Sequence, residues 1–155
     1  MKRLSQLLAQ RMRGLITRGV VTLIDDSQAV QLLQVKLAGG RTLSGVERFE
    51  TYGLTSRLLP QDADGKAAEV VAVFINGSPD HPVVVASADR RHRPDDMDPG
   101  DVVLYDSRGN RVHLKSGSLE VTAATELVLK VGSSEIRIDG TSILIKAATI
   151  DMEQP

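Results

Sequence analysis

Hydrophobic and polar positions along the chain follow three different patterns, and the first lies at the N-terminus. Residues 2–17 place aliphatic side chains at intervals of three and four, with basic residues between them. This spacing puts the apolar residues on one side of a helix. It predicts a short basic amphipathic helix over residues 1–18. We expect this helix to pack on its own domain, on a sister chain or on a partner, in preference to lying on a membrane surface.

Residues 19–88 change to short runs of β-branched and aliphatic residues, separated by Asp, Asn, Ser, Gly and Pro. Five or so strands in a segment of this length are typical of a small closed barrel, and we predict an OB-like barrel. The segment 45–60 is less regular and is expected to wrap the barrel as a strand and a loop. The clearest runs are 20–24, 30–37, 70–75 and 83–85.

Residues 89–104 interrupt the strands with proline and charge. They contain Pro94 and Pro99, three arginines and five aspartates. This composition is typical of a linker between domains. The arginines at 90, 91 and 93 are expected to have a structural or subunit-contact role, and the aspartates at 95, 96, 98 and 101 to be solvated rather than to bind a cation.

Residues 105–155 carry a repeated triplet with apolar residues at its first and third positions. The triplets begin at residues 112, 119, 127, 136, 143 and 150. Each predicts a short strand with two aliphatic side chains on one side and, usually, a polar residue on the other. The predicted core positions are Val112, Leu114, Leu119, Val121, Leu127, Leu129, Ile136, Ile138, Ile143, Ile145, Ile150 and Met152.

A sheet this narrow cannot build a core within one chain, because its apolar face and its edges stay exposed. Three copies wound around a common axis would share a thin aliphatic core and complete each other's hydrogen bonds. All four aromatic residues precede residue 106, which fits an axis too narrow for rings. We therefore predict an all-β chain with an intertwined trimeric β-helix, or β-prism, over residues 105–155. An amyloid-like ribbon and a single-chain β-helix are the alternatives.

Composition narrows the classes of function. With 19 basic and 20 acidic residues in 155, the net charge of −1 provides no basic field for a nucleic-acid backbone. The absence of cysteine excludes disulfides, thiolate metal sites and cysteine nucleophiles. No apolar stretch approaches the roughly 20 residues of a membrane span, and the charged start does not resemble a signal peptide, so we expect a soluble cytoplasmic product. The length excludes a large catalytic domain, and we expect no catalytic residue and no enzyme.

Four motifs occur in order along the chain: YGLTSR at 52–57, FINGSPDHPVV at 74–84, DRRHRP at 89–94 and LYDSRGNRVHL at 104–114. Together they resemble the Mu-like baseplate assembly protein V family, the central spikes of contractile phage tails. The resemblance covers about residues 15–120, and the region beyond is similar in pattern only.

The resemblance implies a homotrimer, assembled in the host cytoplasm and located in the virion at the tail baseplate. It implies barrels that attach to a baseplate hub protein and a β-helix that transiently pierces the host outer membrane when the sheath contracts. No covalent chemistry is required. Spikes of this kind often end in a His-x-His iron apex. The histidines here are His81, His92 and His113, none beyond the fourth triplet, so no cofactor or metal is expected. Either the β-helix ends near Met152, or a separate tip protein caps it, or the chain is shortened.

Two other interpretations remain open. An OB-fold module with an oligomerising tail would bind an oligosaccharide or a single-stranded nucleic acid, and would need exposed aromatics and a basic face. The barrel offers Phe49, Tyr52 and Phe74, at least one of which its core needs. The equivalent spike of a tailocin or secretion machine obeys the same physics and has the same sequence signature.

Overall fold

The computed structural model describes residues 15–150 and divides the chain into two compact units, Met1–Arg91 and His92–Pro155. The described part is all-β, with eleven strands and one short 3-10 turn at Ile75–Gly77. Within residues 15–150, no helix is long and apolar enough to cross a membrane.

Five strands of the first unit close into a barrel in the order β1-β2-β3-β5-β4. Neighbouring strands are antiparallel, except that β3 and β5 pair in parallel and β1 pairs with β4 to close the ring. The predicted small closed barrel is confirmed. The strands are β1 (Ile16–Asp25), β2 (Leu32–Leu37), β3 (Thr42–Arg48), β4 (Glu69–Phe74) and β5 (Pro82–Ala88).

The barrel core follows the two-residue period of its strands. In β2, Leu33, Val35 and Leu37 are buried, while Gln34 and Lys36 between them lie outward. Successive side chains of a strand point to opposite faces, so β2 contributes every second residue to the interior. Aliphatic residues form the whole buried cluster: Val21, Leu33, Val35, Leu37, Val46, Ala68, Val70, Ala72 and Val84.

Gly19 marks the closest approach between β1 and β2. A Cβ at this position would lie 2.6 Å from Cγ1 of Val35 and 2.9 Å from the carbonyl oxygen of Lys36. Side chains essentially never approach so closely, so the two strands reach this spacing because residue 19 has no side chain.

The predicted N-terminal helix lies outside the described residues over 1–14 and is wrong at its C-terminal end. Ile16 and Thr17 belong to β1, where they pair with Val73 and Ala72 of β4. Helical spacing is a local signal, and the main-chain hydrogen bonds needed to close the barrel override it.

The second unit contains two antiparallel three-stranded sheets, in the orders β6-β7-β8 and β11-β10-β9. Five of the six triplets lie in these strands, and β6 begins inside the range predicted as linker. Each sheet is formed by neighbouring strands of one chain, and the intertwining of three chains stays a prediction. The strands are β6 (Val102–Tyr105), β7 (Arg111–Lys115), β8 (Ser118–Thr122), β9 (Glu126–Val131), β10 (Ser134–Asp139) and β11 (Ile143–Lys146).

Candidate functional site

The first sheet of the second unit collects apolar triplet residues on one face. The register places Val112 opposite Val121 and Leu114 opposite Leu119. Directly opposed residues of antiparallel strands point to the same side of the sheet, so these pairs are neighbours. Two β6 residues pair with them as well. The complete face is Val102, Leu104, Val112, Leu114, Leu119 and Val121.

The second sheet has an equivalent face. Ile138 lies opposite Leu127 on one side and Ile143 on the other, and the neighbouring row is built in the same way. The middle residue of each triplet is on the reverse face, where Arg137 lies between Val128 and Leu144. The apolar face is Leu127, Leu129, Ile136, Ile138, Ile143 and Ile145.

These aliphatic faces are largely open to solvent within one chain. On the second sheet, the exposed fraction of five of the six residues ranges from 38% for Ile138 to 69% for Ile143, and the sixth, Leu127, is half-buried. Ile150 is also exposed, whereas Met152 lies outside the described residues. Contiguous apolar surface of this kind marks an interaction site in a soluble protein.

The sheet edges are open too. In the described part of the unit, each sheet has a central strand paired on both sides, and β6, β8, β9 and β11 each pair on one side only. An unpaired edge presents a row of free N–H and C=O groups that can bind another strand. The structure therefore combines open faces with open edges in the same two sheets.

The reverse face of the first sheet carries a buried histidine. His113, the middle residue of the first triplet, is fully buried, with Nε2 2.8 Å from Oδ2 of Asp101. Two residues earlier, the guanidinium of Arg111 donates to Asp96 at 2.7 Å, and this hydrogen bond lowers the pKa of Asp96. Two carboxylates of the predicted linker are thus fixed to β7. The sequence feature that indicates these contacts is the pair Arg111 and His113, two positions apart, after the acidic segment 95–101.

A carboxylate organises the turn between β10 and β11. Oδ1 of Asp139 accepts hydrogen bonds from the backbone N–H and the hydroxyl of Thr141 and from the backbone N–H of Ser142, each at 2.8 Å. These bonds, the Thr141 backbone bond foremost, lower the pKa of Asp139 from 3.8 to about 2. The ionised carboxylate therefore holds the last hairpin of the described chain.

In the barrel, a buried arginine fixes the irregular segment after β3. The side chain of Arg48 is 7% exposed. Its guanidinium donates to Oε1 of Gln31 at 3.0 Å, to the carbonyl and hydroxyl oxygens of Ser56 at 2.6 and 2.9 Å, and to the hydroxyl of Ser87 at 2.9 Å. Burial lowers the pKa of Arg48, and nearby Glu50 opposes that effect. Sequence reasoning missed this network, because its members lie far apart in the chain.

Glu50 closes the same segment into a loop. Its carboxylate accepts from the hydroxyl of Thr55 at 2.7 Å and from the backbone N–H of Ser56 at 2.9 Å. Burial raises the pKa of Glu50, but the hydrogen bonds from Thr55 and Ser56 and the charge of Arg48 together lower it below its usual value. The loop between these anchors carries the fully exposed Tyr52 at its turn.

The described residues offer no assembled metal site. Among residues 15–150, no group of three or more His, Asp or Glu side chains is placed to hold a metal ion. Asp62 instead accepts the backbone N–H of Lys66 at 2.7 Å and caps a turn. Its pKa is lowered, although burial acts in the opposite direction.

A closed barrel and, in a separate unit, two small sheets with open apolar faces define an all-β protein made of two dissimilar parts. Residues 18–91 match the family described as "Bacteriophage Mu Gp45, N-terminal". The chain is 35% identical over 126 residues to the "Baseplate puncturing device gp45" of Escherichia phage Mu, covering 81% of this chain and 61% of that protein. It is 31% identical over 157 residues to the "Mu-like prophage FluMu protein gp45" of Haemophilus influenzae, covering 99% of this chain and 79% of that protein. The chain belongs to the phage Mu gp45 family.

Proposed function

We propose that this chain is the central spike of a contractile tail, located in the virion at the tail baseplate. Membership of the gp45 family supports this role, since the phage Mu relative is a baseplate puncturing device. In the proposal, the barrel attaches to a baseplate hub protein and the C-terminal strands pierce the host outer membrane when the sheath contracts. The same role in a tailocin or secretion machine would use the same parts.

The observation that carries the proposal is the open apolar face of each sheet in the second unit. Twelve aliphatic residues line these faces, and their strands have unpaired edges. Three chains wound about one axis would cover the faces with each other and pair the edges between chains. We therefore propose a homotrimer with an intertwined β-helix over residues 105–155.

The barrel topology supports an OB-type domain over residues 19–88. Its order, β1-β2-β3-β5-β4, closes five strands through one parallel contact between β3 and β5. A five-stranded closed or partly open barrel is the architecture of OB domains. In the spike, this domain would supply the rigid attachment, and residues 89–104 would connect it to the piercing segment.

The proposed action is mechanical and uses no catalytic group and no cofactor. Interchain hydrogen bonds along an intertwined prism resist axial load, because strands cannot slide without breaking many bonds together. His113 is bonded to Asp101 beneath the first sheet, so we assign it a structural role. If a tip metal exists in the assembled particle, a separate tip protein is its proposed carrier.

The decisive experiment compares two substitutions of the same chemistry on opposite faces of one sheet. Ile138 is 38% exposed and Val128 is 37% exposed, so a single chain should tolerate Asp similarly at either position. In the trimer, Ile138→Asp would bury three charges at the axis, costing several kcal/mol per ion. Val128→Asp would put its charges on the outside.

Absolute mass in solution by light scattering measures the outcome. We expect three chains per particle for the unchanged protein and for Val128→Asp, and dissociation for Ile138→Asp. A monomeric unchanged protein, or a trimeric Ile138→Asp variant with unchanged thermal stability, would overturn the proposed core. Circular dichroism of each variant checks that the strands are retained.

A further inference from the structure

An open cleft on the barrel has no part in the spike mechanism. It lies between the β1–β2 loop and the segment that follows β3, with a volume of ≈450 Å³. This volume is in the range of small-molecule sites. Five polar side chains and one aromatic ring of the lining are available to contact a ligand: Asp26, Gln28, Gln31, Phe49, Glu50 and Thr55.

The polar groups of the cleft are held in place by bonds within the barrel. Asp26 accepts a hydrogen bond from Nε2 of Gln31 at 2.9 Å, and Oε1 of Gln31 accepts one from the guanidinium of Arg48. Glu50 and Thr55 are bonded to each other at 2.7 Å. Carboxylate oxygens accept more than one hydrogen bond each, so Asp26 and Glu50 keep acceptor capacity towards a ligand. Such fixed groups need little reordering on binding.

The charges around the cleft are paired. Glu50 forms an ion pair with Arg48 at 3.0 Å, and Asp26 lies 3.9 Å from Arg57. Each carboxylate is therefore balanced by a guanidinium, and the opening carries little net charge. A charged ligand would have to compete with one of these pairs, so the cleft favours an uncharged ligand.

One aromatic ring of the cleft stands at the surface beside these groups. Phe49 lines the cleft and is 62% exposed, while its backbone N–H is fixed to the carbonyl of Val84 at 2.9 Å. Tyr52 is fully exposed at the turn of the loop that Glu50 closes. Phe74, by contrast, packs against the core. Phe49 is thus an exposed aromatic of the cleft on a fixed backbone, which the barrel needs neither for its core nor for the proposed trimer axis.

We propose that this cleft binds an oligosaccharide whose sugars are uncharged. The apolar face of a pyranose ring stacks on an aromatic side chain, while its hydroxyls donate to carboxylates and exchange hydrogen bonds with amides and hydroxyls. In OB folds the β1–β2 loop is one of the elements that bind oligosaccharides, and it forms one wall here. The site goes beyond the spike role and needs no trimer.

The test is a titration of the isotope-labelled full chain, followed by backbone amide NMR, with four probes. Triacetylchitotriose is neutral, chitotriose carries amines, sialyllactose is anionic, and oligothymidylate is a single-stranded nucleic acid. We expect saturable shifts at Gln28, Phe49 and Thr55 with triacetylchitotriose, and weaker shifts or none with the three charged probes.

Matched variants separate stacking from general apolar contact. Phe49→Ala should weaken binding about ten-fold, since it removes the stacking ring. Leu54→Ala is the control, because Leu54 is 58% exposed on the same loop and has no ring. Its dissociation constant should change less than about two-fold.

Several results would contradict the proposed sugar site. Absence of shifts with triacetylchitotriose would overturn the proposal, as would binding of chitotriose, oligothymidylate or sialyllactose at equal strength. Equal weakening by Leu54→Ala would also overturn it and assign the surface to an apolar protein contact. Trimer mass, measured on the same variants, reports the spike proposal independently.

Discussion

The barrel and the two three-stranded sheets of the second unit differ in how far they bury their aliphatic residues. In the barrel, nine aliphatic residues form a closed cluster, and each strand has a partner on both sides. In the described part of His92–Pro155, the one buried residue is His113, and the aliphatic residues are exposed or half-buried. Both parts are built from short strands of similar amino acids.

The difference lies in what closes each structure. A five-stranded sheet curved into a ring hides its own edges and one face. An open three-stranded sheet hides neither, and its stability must come from something packed against it. The barrel should therefore be a self-sufficient folding unit, while the sheets should depend on other copies of the chain.

The largest expected effect is that dilution separates the two units. For a trimer, each ten-fold dilution removes about 2.8 kcal/mol from the assembly free energy, whereas an intramolecular barrel is unaffected. Hydrogen exchange by mass spectrometry at equilibrium should show protection falling with dilution in residues 105–150 and constant in residues 16–88. Equal concentration dependence in both ranges, or none in either, would remove the distinction.

The next effect tests the self-sufficiency of the barrel. Arg48→Met removes one partner of a buried ionic network and should destabilise the barrel by about 3 kcal/mol, because Glu50 and the Ser56 carbonyl lose their donor. Urea unfolding of the full chain measures the change. Arg57→Met is the control, since Arg57 is exposed and 3.9 Å from Asp26. Similar losses for the two variants would contradict the assignment of Arg48.

A smaller effect should follow at the β1–β2 contact. Gly19→Ala places a methyl group 2.6 Å from Val35 and should cost about 1–3 kcal/mol by forcing the strands apart. Gly39→Ala is matched in chemistry, has nothing within 4 Å of the added methyl, and should change stability by less than about 0.5 kcal/mol. Urea unfolding of the barrel in the full chain measures both changes in the free energy of unfolding. A Gly19→Ala variant with unchanged stability would show that β1 and β2 can move apart at no cost.

The smallest effect concerns the pH response of the second unit. Because the folded pKa of Asp139 is about 2 and its ordinary value is 3.8, the turn is fully stabilised above pH 3.8 and loses that contribution as pH falls towards 2. The amide resonances of Thr141 and Ser142 should therefore titrate with a midpoint near pH 2. Asp139→Asn should abolish the titration, and a midpoint near 4 would show that these bonds do not persist in solution.

Much of the barrel could be predicted from the sequence, because its strands coincide with local runs of β-branched and aliphatic residues. The runs around Val21, Val35, Val70 and Val84 supply core residues, and turn-forming residues separate them. The strand start at Ile16 was not predicted, since its conformation depends on pairing with β4 more than fifty residues away. The same is true of Arg48, whose partners come from three separate segments.

The candidate sites divide in the same way. The triplet pattern predicted which residues share a face of each sheet, and the registers place them there. Whether three chains bury those faces stays a prediction. The burial of His113 was unexpected, because a polar middle residue predicts an outward side chain, and the Asp101 carboxylate from the preceding segment meets it there. The cleft beside Phe49 was not foreseen, since it forms between two loops.

The sequence by itself determined the all-β class, the barrel and the aliphatic face of each short strand, because alternation along a strand is a property of neighbouring residues. The tertiary structure decided where β1 begins, which aromatics stay at the surface, how Arg48 and Glu50 fix the loop after β3, and which acidic side chains bind β7. These features join residues that are distant in the chain. Their contacts depend on how the strands close and on the turns between them, which no local pattern encodes.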